Sequence, residues 1–436
     1  MRYVYVAGKP TNNGVDLNRP ILQQTGLCLY SLIEGLRQAH FNTHTVDGVL
    51  TTIDEYIRRY VTPVGGTLYA DSGGYSIITG AVHPADIHRF VQCYNKALER
   101  PQLYGRIFSL DIPWSKTYHF MNTKAMIAEL NHYAMSTARD ILDRDRLVRE
   151  NYHFVWHFKM ESQYDVWNDL YDKLEMNRFL KRRAIGGMVA LRGMTNIRYS
   201  PFTAMAYRCL ADYLDAEDYG REFSLHYLGM YLPYDRFHMA MLESLFRLYL
   251  EDIAGVSTTY DSINFEHTAR MNKDLRLYRY AGGELQTEPN LIDASDEILD
   301  LVYQDPVLVA GIKEEVDRRR AGIKLRHANA FGPLNIFSNQ QIDLFFQHVV
   351  KDSGLTEMIH SGTSLTRLNH ELSQQLLELE GRHPEIFSAH MRKATMKNLE
   401  HTFAFHRWFR EDRSHKTLDE LVRRYIRAIR FPAQLS

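Results

Sequence analysis

Between Tyr3 and Ile263 the chain alternates two textures. Short runs rich in apolar, β-branched and aromatic residues, bounded by turn formers, read as strands: Tyr3–Ala7, Thr43–Val46, Leu68–Asp71, Ile107–Asp111, His153–His157, Ala184–Ala190, Ser224–Met230 and Thr258–Ile263. Between them lie stretches with apolar positions at helical spacing, as in Pro84–Glu99, Thr123–Asp145, Glu161–Leu180 and Arg236–Ile253. Repeated strand–helix alternation predicts a parallel sheet closed into a (β/α)8 TIM barrel over residues 1–280. Beyond that point Ser295–Tyr303, Pro306–Ala321, Gln340–Lys351, Ser364–Leu379, Ser388–Asp412 and Thr417–Arg430 read as helices, and no strand is expected. Residues 281–436 are therefore expected to form a helical C-terminal region packed on the barrel.

With 436 residues, 45% hydrophobic and 12% aromatic, the chain can bury a large core. No apolar run approaches the ~18 residues of a membrane span. Met1-Arg2-Tyr3-Val4 does not begin an export signal, so a cytoplasmic protein is expected. Cys28, Cys93 and Cys209 are too far apart for a metal-spaced pair or a disulfide framework, and read as free thiols of a reducing compartment. Neither a cofactor nor a metal is expected. The net charge is −1, from 52 basic and 53 acidic residues, which excludes a basic field over the whole protein. The distribution is uneven: Arg382–Ser436 carries 12 Lys/Arg against 6 Asp/Glu, and Ala281–Gly381 carries 8 against 16. A polynucleotide partner needs only such a local basic surface.

Three of the strands end in aspartate. Tyr69-Ala70-Asp71 runs into Ser72-Gly73-Gly74-Tyr75, Phe108-Ser109-Leu110-Asp111 into Ile112-Pro113-Trp114, and Thr259-Tyr260-Asp261 into Ser262-Ile263. Strand C-termini of a barrel converge on one face, which would bring Asp71, Asp111 and Asp261 to one pocket. Carboxylates grouped without metal-type histidines suit glycosidic chemistry: one attacks an anomeric carbon, another trades a proton with the leaving group. Taken singly, each aspartate also fits a helix cap or a turn. Gly186-Gly187 places paired glycines within a strand, which either makes a bulge or lets a planar ligand reach bare main chain. His226-Tyr227-Leu228-Gly229-Met230 ends another strand in a soft side chain suited to an aromatic ring or to plain core.

The order of these landmarks resembles the queuine/archaeosine tRNA-guanine transglycosylases. Asp71-Ser72-Gly73-Gly74-Tyr75, a strand ending in Asp111, Gly186-Gly187 before an apolar residue, Tyr227-Leu228-Gly229-Met230 and Tyr260-Asp261 follow in that family's sequence over residues 65–280. Members of the family are (β/α)8 barrels that exchange a guanine base for a 7-deazaguanine without cutting the strand. The resemblance implies Asp261 as the nucleophile at C1′ and Asp71 as the general acid/base. It implies Asp111 as the carboxylate that accepts from the guanine N1–H and 2-amino edge, and Ser72 as a residue that hydrogen-bonds the base. Tyr75 and Met230 would sandwich the ring, and Gly186 and Gly187 would present backbone groups to its carbonyl. A purine held this way has two faces stacked and one polar edge read.

The departures point to a different polynucleotide. Ser76 stands where the tRNA enzymes have Gln after the aromatic, and His157 where they have Gln in a Gln-Gly-Gly turn, so both are candidates for a retuned base reading. The family's Cys-x-Cys-x-x-Cys plus His zinc site is absent, since all three cysteines precede Asp261. The resemblance is then to the DNA branch of the family, the viral and bacterial DNA deazaguanine transglycosylases, and most to the compact phage type that protects a genome from restriction. DNA and a free 7-deazaguanine base are the expected partners, with tRNA as the alternative polynucleotide. A non-catalytic nucleic-acid-binding partner of a transglycosylase and a sugar hydrolase are the competing readings.

A guanine in a duplex must be flipped out before a barrel can act on it, and phosphate contacts would offset that cost. In the tail, Arg423, Arg427 and Arg430 share one helix face. Arg392, Lys393, Lys397, Arg407 and Arg410 interleave with Phe403, Phe405, Trp408 and Phe409, a mixture that can hold a backbone and stack bases. The alternative is an amphipathic helix with its aromatics in the core and its cations solvated. Arg318-Arg319-Arg320 and Lys181-Arg182-Arg183 read as solvated runs.

Overall fold

The computed structural model describes residues 1–6, 17–32, 46–74, 86–112, 124–158, 161–187, 202–216, 222–262, 265, 268–269, 275–288, 290–327 and 329–428. Eight parallel strands close into a barrel in sequence order. They are β1 (Arg2–Val6), β2 (Leu27–Ser31), β3 (Thr67–Asp71), β4 (Arg106–Phe108), β5 (Tyr152–Trp156), β6 (Arg182–Ile185), β7 (Glu222–Tyr227) and β8 (Gly255–Asp261). The ring closes where β8 pairs with β1, with Val4 opposite Asp261. The seven connections carry α1 (Asn18–Thr25), α2 (Val46–Tyr56), α3 (Ile87–Leu98), α4 (Lys124–Arg144) with α5 (Arg146–Asn151), α6 (Glu161–Lys173), α7 (Thr203–Leu214) and α8 (Pro233–Tyr249). This is the expected (β/α)8 architecture.

Both faces of these strands are covered, so β1–β5 are mostly apolar, while β6–β8 bury polar residues such as Arg183, His226 and Thr259. Val4, Leu27, Leu29, Tyr69, Phe108, Val155 and Ala184 fill the barrel interior. The residues between them, such as Tyr3, Cys28, Tyr30, Leu68 and Ile107, face the helices and join the main core. The same period of two turns Asp71, two beyond Tyr69, and His157, two beyond Val155, into the barrel mouth.

The second strand lies at Leu27–Ser31 and not at Thr43–Val46; Val46 opens α2, and Thr43, His44 and Thr45 lie outside the described residues. Leu27-Cys28-Leu29-Tyr30 is an unbroken apolar run, and it starts directly after Gly26, whose left-handed backbone ends α1. β4 ends at Phe108, which leaves Asp111 in the segment that follows it. β6 ends at Ile185, so the paired glycines lie just past a strand and not within one.

A hairpin of β9 (Leu277–Ala281) and β10 (Glu284–Glu288) turns through Gly282-Gly283, both at positive φ, where the sequence reading places no strand. The expected boundary at residue 280 falls inside it. Then come α9 (Asp296–Tyr303), α10 (Pro306–Arg320), α11 (Gly332–Asp352), α12 (Leu355–His360), α13 (Leu365–Arg382), α14 (Ala389–Glu411) and α15 (His415–Ala428). α11 packs against both α8 and α1, which flank the β8–β1 seam, and so fills the place of the barrel's eighth helix. Arg236 of α8 donates to Asp343 Oδ1 at 2.8 Å and to Asn339 Oδ1 at 2.6 Å, and the Tyr260 hydroxyl on the outer face of β8 donates to Asp343.

α14 and α15 form an outer layer. His390 packs on Tyr234 at the start of α8, and His406 bonds the Tyr249 hydroxyl at its end at 2.6 Å. A barrel helix starts at the C-terminal face of the strands, so α14 runs away from that face. α15 returns toward it, with His415 beside Asp215 past the end of α7 and Arg427 beside Glu161 at the start of α6. The α14 aromatics Phe405, Trp408 and Phe409 are buried; Phe405 stacks on Tyr207 and Phe409 on Tyr249. These three rings are core and are not exposed for stacking, while Phe403 is half-buried.

Arg183 and Arg319 also differ from expectation, since both are buried. Arg183 donates to the Asp212 carbonyl at 2.8 Å and lies over the Tyr213 ring; Arg319 lies over Phe331. All three cysteines are buried and free. Among the described residues no helix is long and apolar enough to cross a membrane.

Candidate active site

β3 delivers Asp71 to the mouth, and the chain then turns through Gly73 at φ 78°. A Cβ on Gly74 would lie 2.3 Å from the Asp111 carbonyl oxygen, so this turn can rest on the Asp111 backbone only because the residue is glycine. Asp111 is fixed from behind by buried Asn131 of α4, whose side chain accepts from the Ile112 N–H at 2.8 Å and donates to the Ile112 carbonyl at 3.0 Å. Where β4 leaves the sheet, the Ser109 hydroxyl accepts the Val155 N–H at 2.9 Å. β8 carries Asp261 directly, at its last residue.

The three aspartates form one electrostatic site with two kinds of member. Burial pushes the Asp71 carboxyl up to about 7, and the charges of Asp111 and Asp261 push the same way, against the Gly73 N–H and the Ser31 hydroxyl. Asp71 is therefore the group that holds a proton near neutrality. Asp111 and Asp261 each meet a histidine instead. His157 Nδ1 lies 2.9 Å from Asp111 Oδ2, while the Ser72 hydroxyl donates to Asp111 Oδ1 at 3.2 Å. His226 Nε2 lies 3.2 Å from Asp261 Oδ1, and the Gly229 N–H donates to the same oxygen at 3.0 Å. No described residue bonds Asp261 Oδ2. A carboxyl that exchanges its proton near neutrality beside a second carboxyl with one oxygen unengaged by the described residues can supply an acid/base and a nucleophile.

The paired glycines make room for the Asp111–His157 pair. A Cβ on Gly186 would lie 2.9 Å from Val155 Cγ1 and 3.5 Å from Asp111 Oδ2; one on Gly187 would lie 2.5 Å from His157 Nε2. The Gly186 N–H is already given to the Trp156 carbonyl at 2.9 Å, which removes it as a donor to a base. The Gly187 N–H has no partner among the described residues.

Asp71, Ser72, Asp111, His157, Gly186, Gly187 and Asp261 are thus gathered at one mouth. Tyr75, Ser76 and Arg430 lie outside the described residues. Met230 is fully buried in the main core, and its N–H donates to the Asp261 carbonyl at 2.9 Å, so it braces the Asp261 backbone. The tail cations do not form one patch. Arg392, Lys393 and Lys397 lie toward the mouth end of α14, and Arg407 and Arg410 about 22 Å further along it. Most are already paired: Arg392 with Glu380, Lys397 with Glu400, Arg407 with Glu411, Arg423 with Asp165 and Arg427 with Glu161. Lys393 and Arg410 are exposed.

Sequence reasoning passed over His226, Thr259 and Asn131. A lone histidine in an apolar strand reads as core; the usable signal is register, since β7 and β8 pair with His226 opposite Thr259 and Asp261 follows two residues on, on the same face. No protein-family model matches the chain, and no curated protein does.

Proposed function

We propose that the chain is a base-exchange transglycosylase that replaces guanine in DNA with a 7-deazaguanine derivative through a covalent aspartyl-glycosyl intermediate. The observation that carries this reading is the pair Asp71 and Asp261 at one mouth: burial raises the Asp71 carboxyl to about 7, while Asp261 has two donors on Oδ1 and none on Oδ2 among the described residues. Asp261 Oδ2 bonds to C1′ of the target nucleotide as the C1′–N9 bond breaks. The departing guanine keeps the electron pair of that bond and takes the Asp71 proton. The incoming base gives its N9 proton to Asp71 and attacks C1′, and the C1′–Oδ2 electrons return to Asp261. Asp111, held by Ser72 and His157, faces the mouth with lone pairs to spare for the N–H edge of a guanine-type base. A changed purine would hide DNA from enzymes that read the guanine edge in the major groove, the protective role that the resemblance implies.

Incubation with labelled guanine or 7-deazaguanine, with DNA and tRNA supplied side by side, tests this. Label is expected in DNA with the native chain, and none with Asp261→Asn, which still binds DNA. Label in tRNA alone overturns the DNA reading, and unchanged incorporation by Asp261→Asn removes Asp261 as nucleophile.

A further inference from the structure

We propose that His226 is a positioning residue that drives release of Asp261 from the covalent intermediate; this rests on the transglycosylase reading above. His226 has no solvent exposure, and its ring packs against those of Tyr69 and Phe108, at centroid distances of 5.7 and 4.7 Å. It does not reach a substrate, and acts through Asp261. Its two nitrogens have separate partners. Thr259 Oγ1 lies 2.8 Å from Nδ1, and Asp261 Oδ1 lies 3.2 Å from Nε2. Without a proton on Nε2, lone pairs would face each other across the second contact. The ring proton therefore sits on Nε2, and the Thr259 hydroxyl donates to Nδ1 and fixes that tautomer.

Asp261 Oδ1 thus receives two donors, the His226 Nε2–H and the Gly229 N–H at 3.0 Å. Both bonds are stronger to a charged carboxylate than to a neutral ester. In the intermediate Oδ2 is bonded to C1′, and Oδ1 is the carbonyl oxygen of that ester. When the incoming base attacks, the C1′–Oδ2 bond breaks and negative charge returns to the carboxylate under both donors, as in an oxyanion hole. The donors disfavour the ester and favour its breakdown. Their loss should leave the enzyme stranded on its substrate.

The test compares the native chain with His226→Leu and Thr259→Val on a labelled DNA oligonucleotide containing guanine. Covalent adduct is read on a denaturing gel, with and without free guanine, beside the exchange rate. The steady-state adduct is expected to rise about tenfold in His226→Leu, the scale of one hydrogen bond to a charged group, and less in Thr259→Val, while exchange falls in both. A merely structural role would lower adduct and exchange together. Should His226→Leu fail to fold, the near-isosteric Thr259→Val carries the test. Adduct unchanged or lowered in the folded variants, with the native chain active, overturns the role of His226. Absence of both adduct and exchange in the native chain, on DNA and on tRNA, removes the transglycosylase reading and this inference with it.

Discussion

A side chain on Gly187 and the ring of His157 would occupy the same space: a Cβ there would lie 2.5 Å from His157 Nε2. His157 in turn bonds Asp111, so the bare glycine is what seats the carboxylate proposed to read the base. Gly187→Ala is expected to displace the ring and to add strain at φ 78°, together about 1 kcal/mol or more of stability. The KM for the free base should rise more than kcat falls. Steady-state kinetics with varied free base, beside a thermal melt, checks both.

Asp71 makes stability depend on pH in a defined direction. Its folded-state carboxyl titrates at about 7, above the ordinary carboxyl value near 4 in the unfolded chain. Between these values the folded state binds the extra proton, so stability falls as pH rises from about 4 to 7. Asp71→Asn is therefore expected to be more stable than the native chain at pH 8. With the partial solvent contact at the mouth allowed for, the gain is on the order of 2 kcal/mol. It should vanish by about pH 3, below both values. Unfolding midpoints across that range test the sign. The variant should lose exchange, and native exchange should peak near pH 7, where Asp71 both gives and takes a proton.

The C-terminal region is expected to be inseparable from the barrel. Asp343→Ala strands the buried Arg236 guanidinium without its anion and removes the acceptor of Tyr260, at a cost of about 3–5 kcal/mol. A chain cut after residue 290 lacks α11 and should yield no cooperative unfolding transition. A truncated 1–290 protein that melts like the intact one would contradict this.

Among the tail cations, location predicts which would touch a polynucleotide bound at the mouth. Lys393→Ala, at the mouth end of α14, should weaken DNA binding and lower the slope of log K against log salt by about 1 if it meets a phosphate. Arg407→Ala and Arg410→Ala, at the far end, should leave both unchanged. Fluorescence anisotropy over a salt series distinguishes the two groups.

The barrel was legible because seven of its strands carry apolar runs that end in polar turns. β2 was not, because Thr43–Val46 has the residue types of a strand, whereas Leu27–Tyr30 differs from a helical segment only by its length and by Gly26 before it. The three aspartates stood out as strand-end carboxylates. His226 and Asn131 did not, because their roles depend on what lies opposite them: Thr259 across the β7–β8 register, and the backbone of Ile112 across the α4 interface. The spacing of Phe405 and Phe409 on α14 suits a stacking surface as well as a core, and only Tyr207 and Tyr249, which stack on them from distant elements, distinguish the two.

The pairing of Val4 with Asp261 has a kinetic consequence. It joins the first barrel strand to the last, so it closes the longest loop in the ring and is favoured to form late in folding. Asp261 meets His226 and Gly229 through the β7–β8 side, but gains its β1 neighbour only when that seam shuts. Recovery of base exchange after dilution from denaturant then times the shutting of the ring, and should lag behind the recovery of helix.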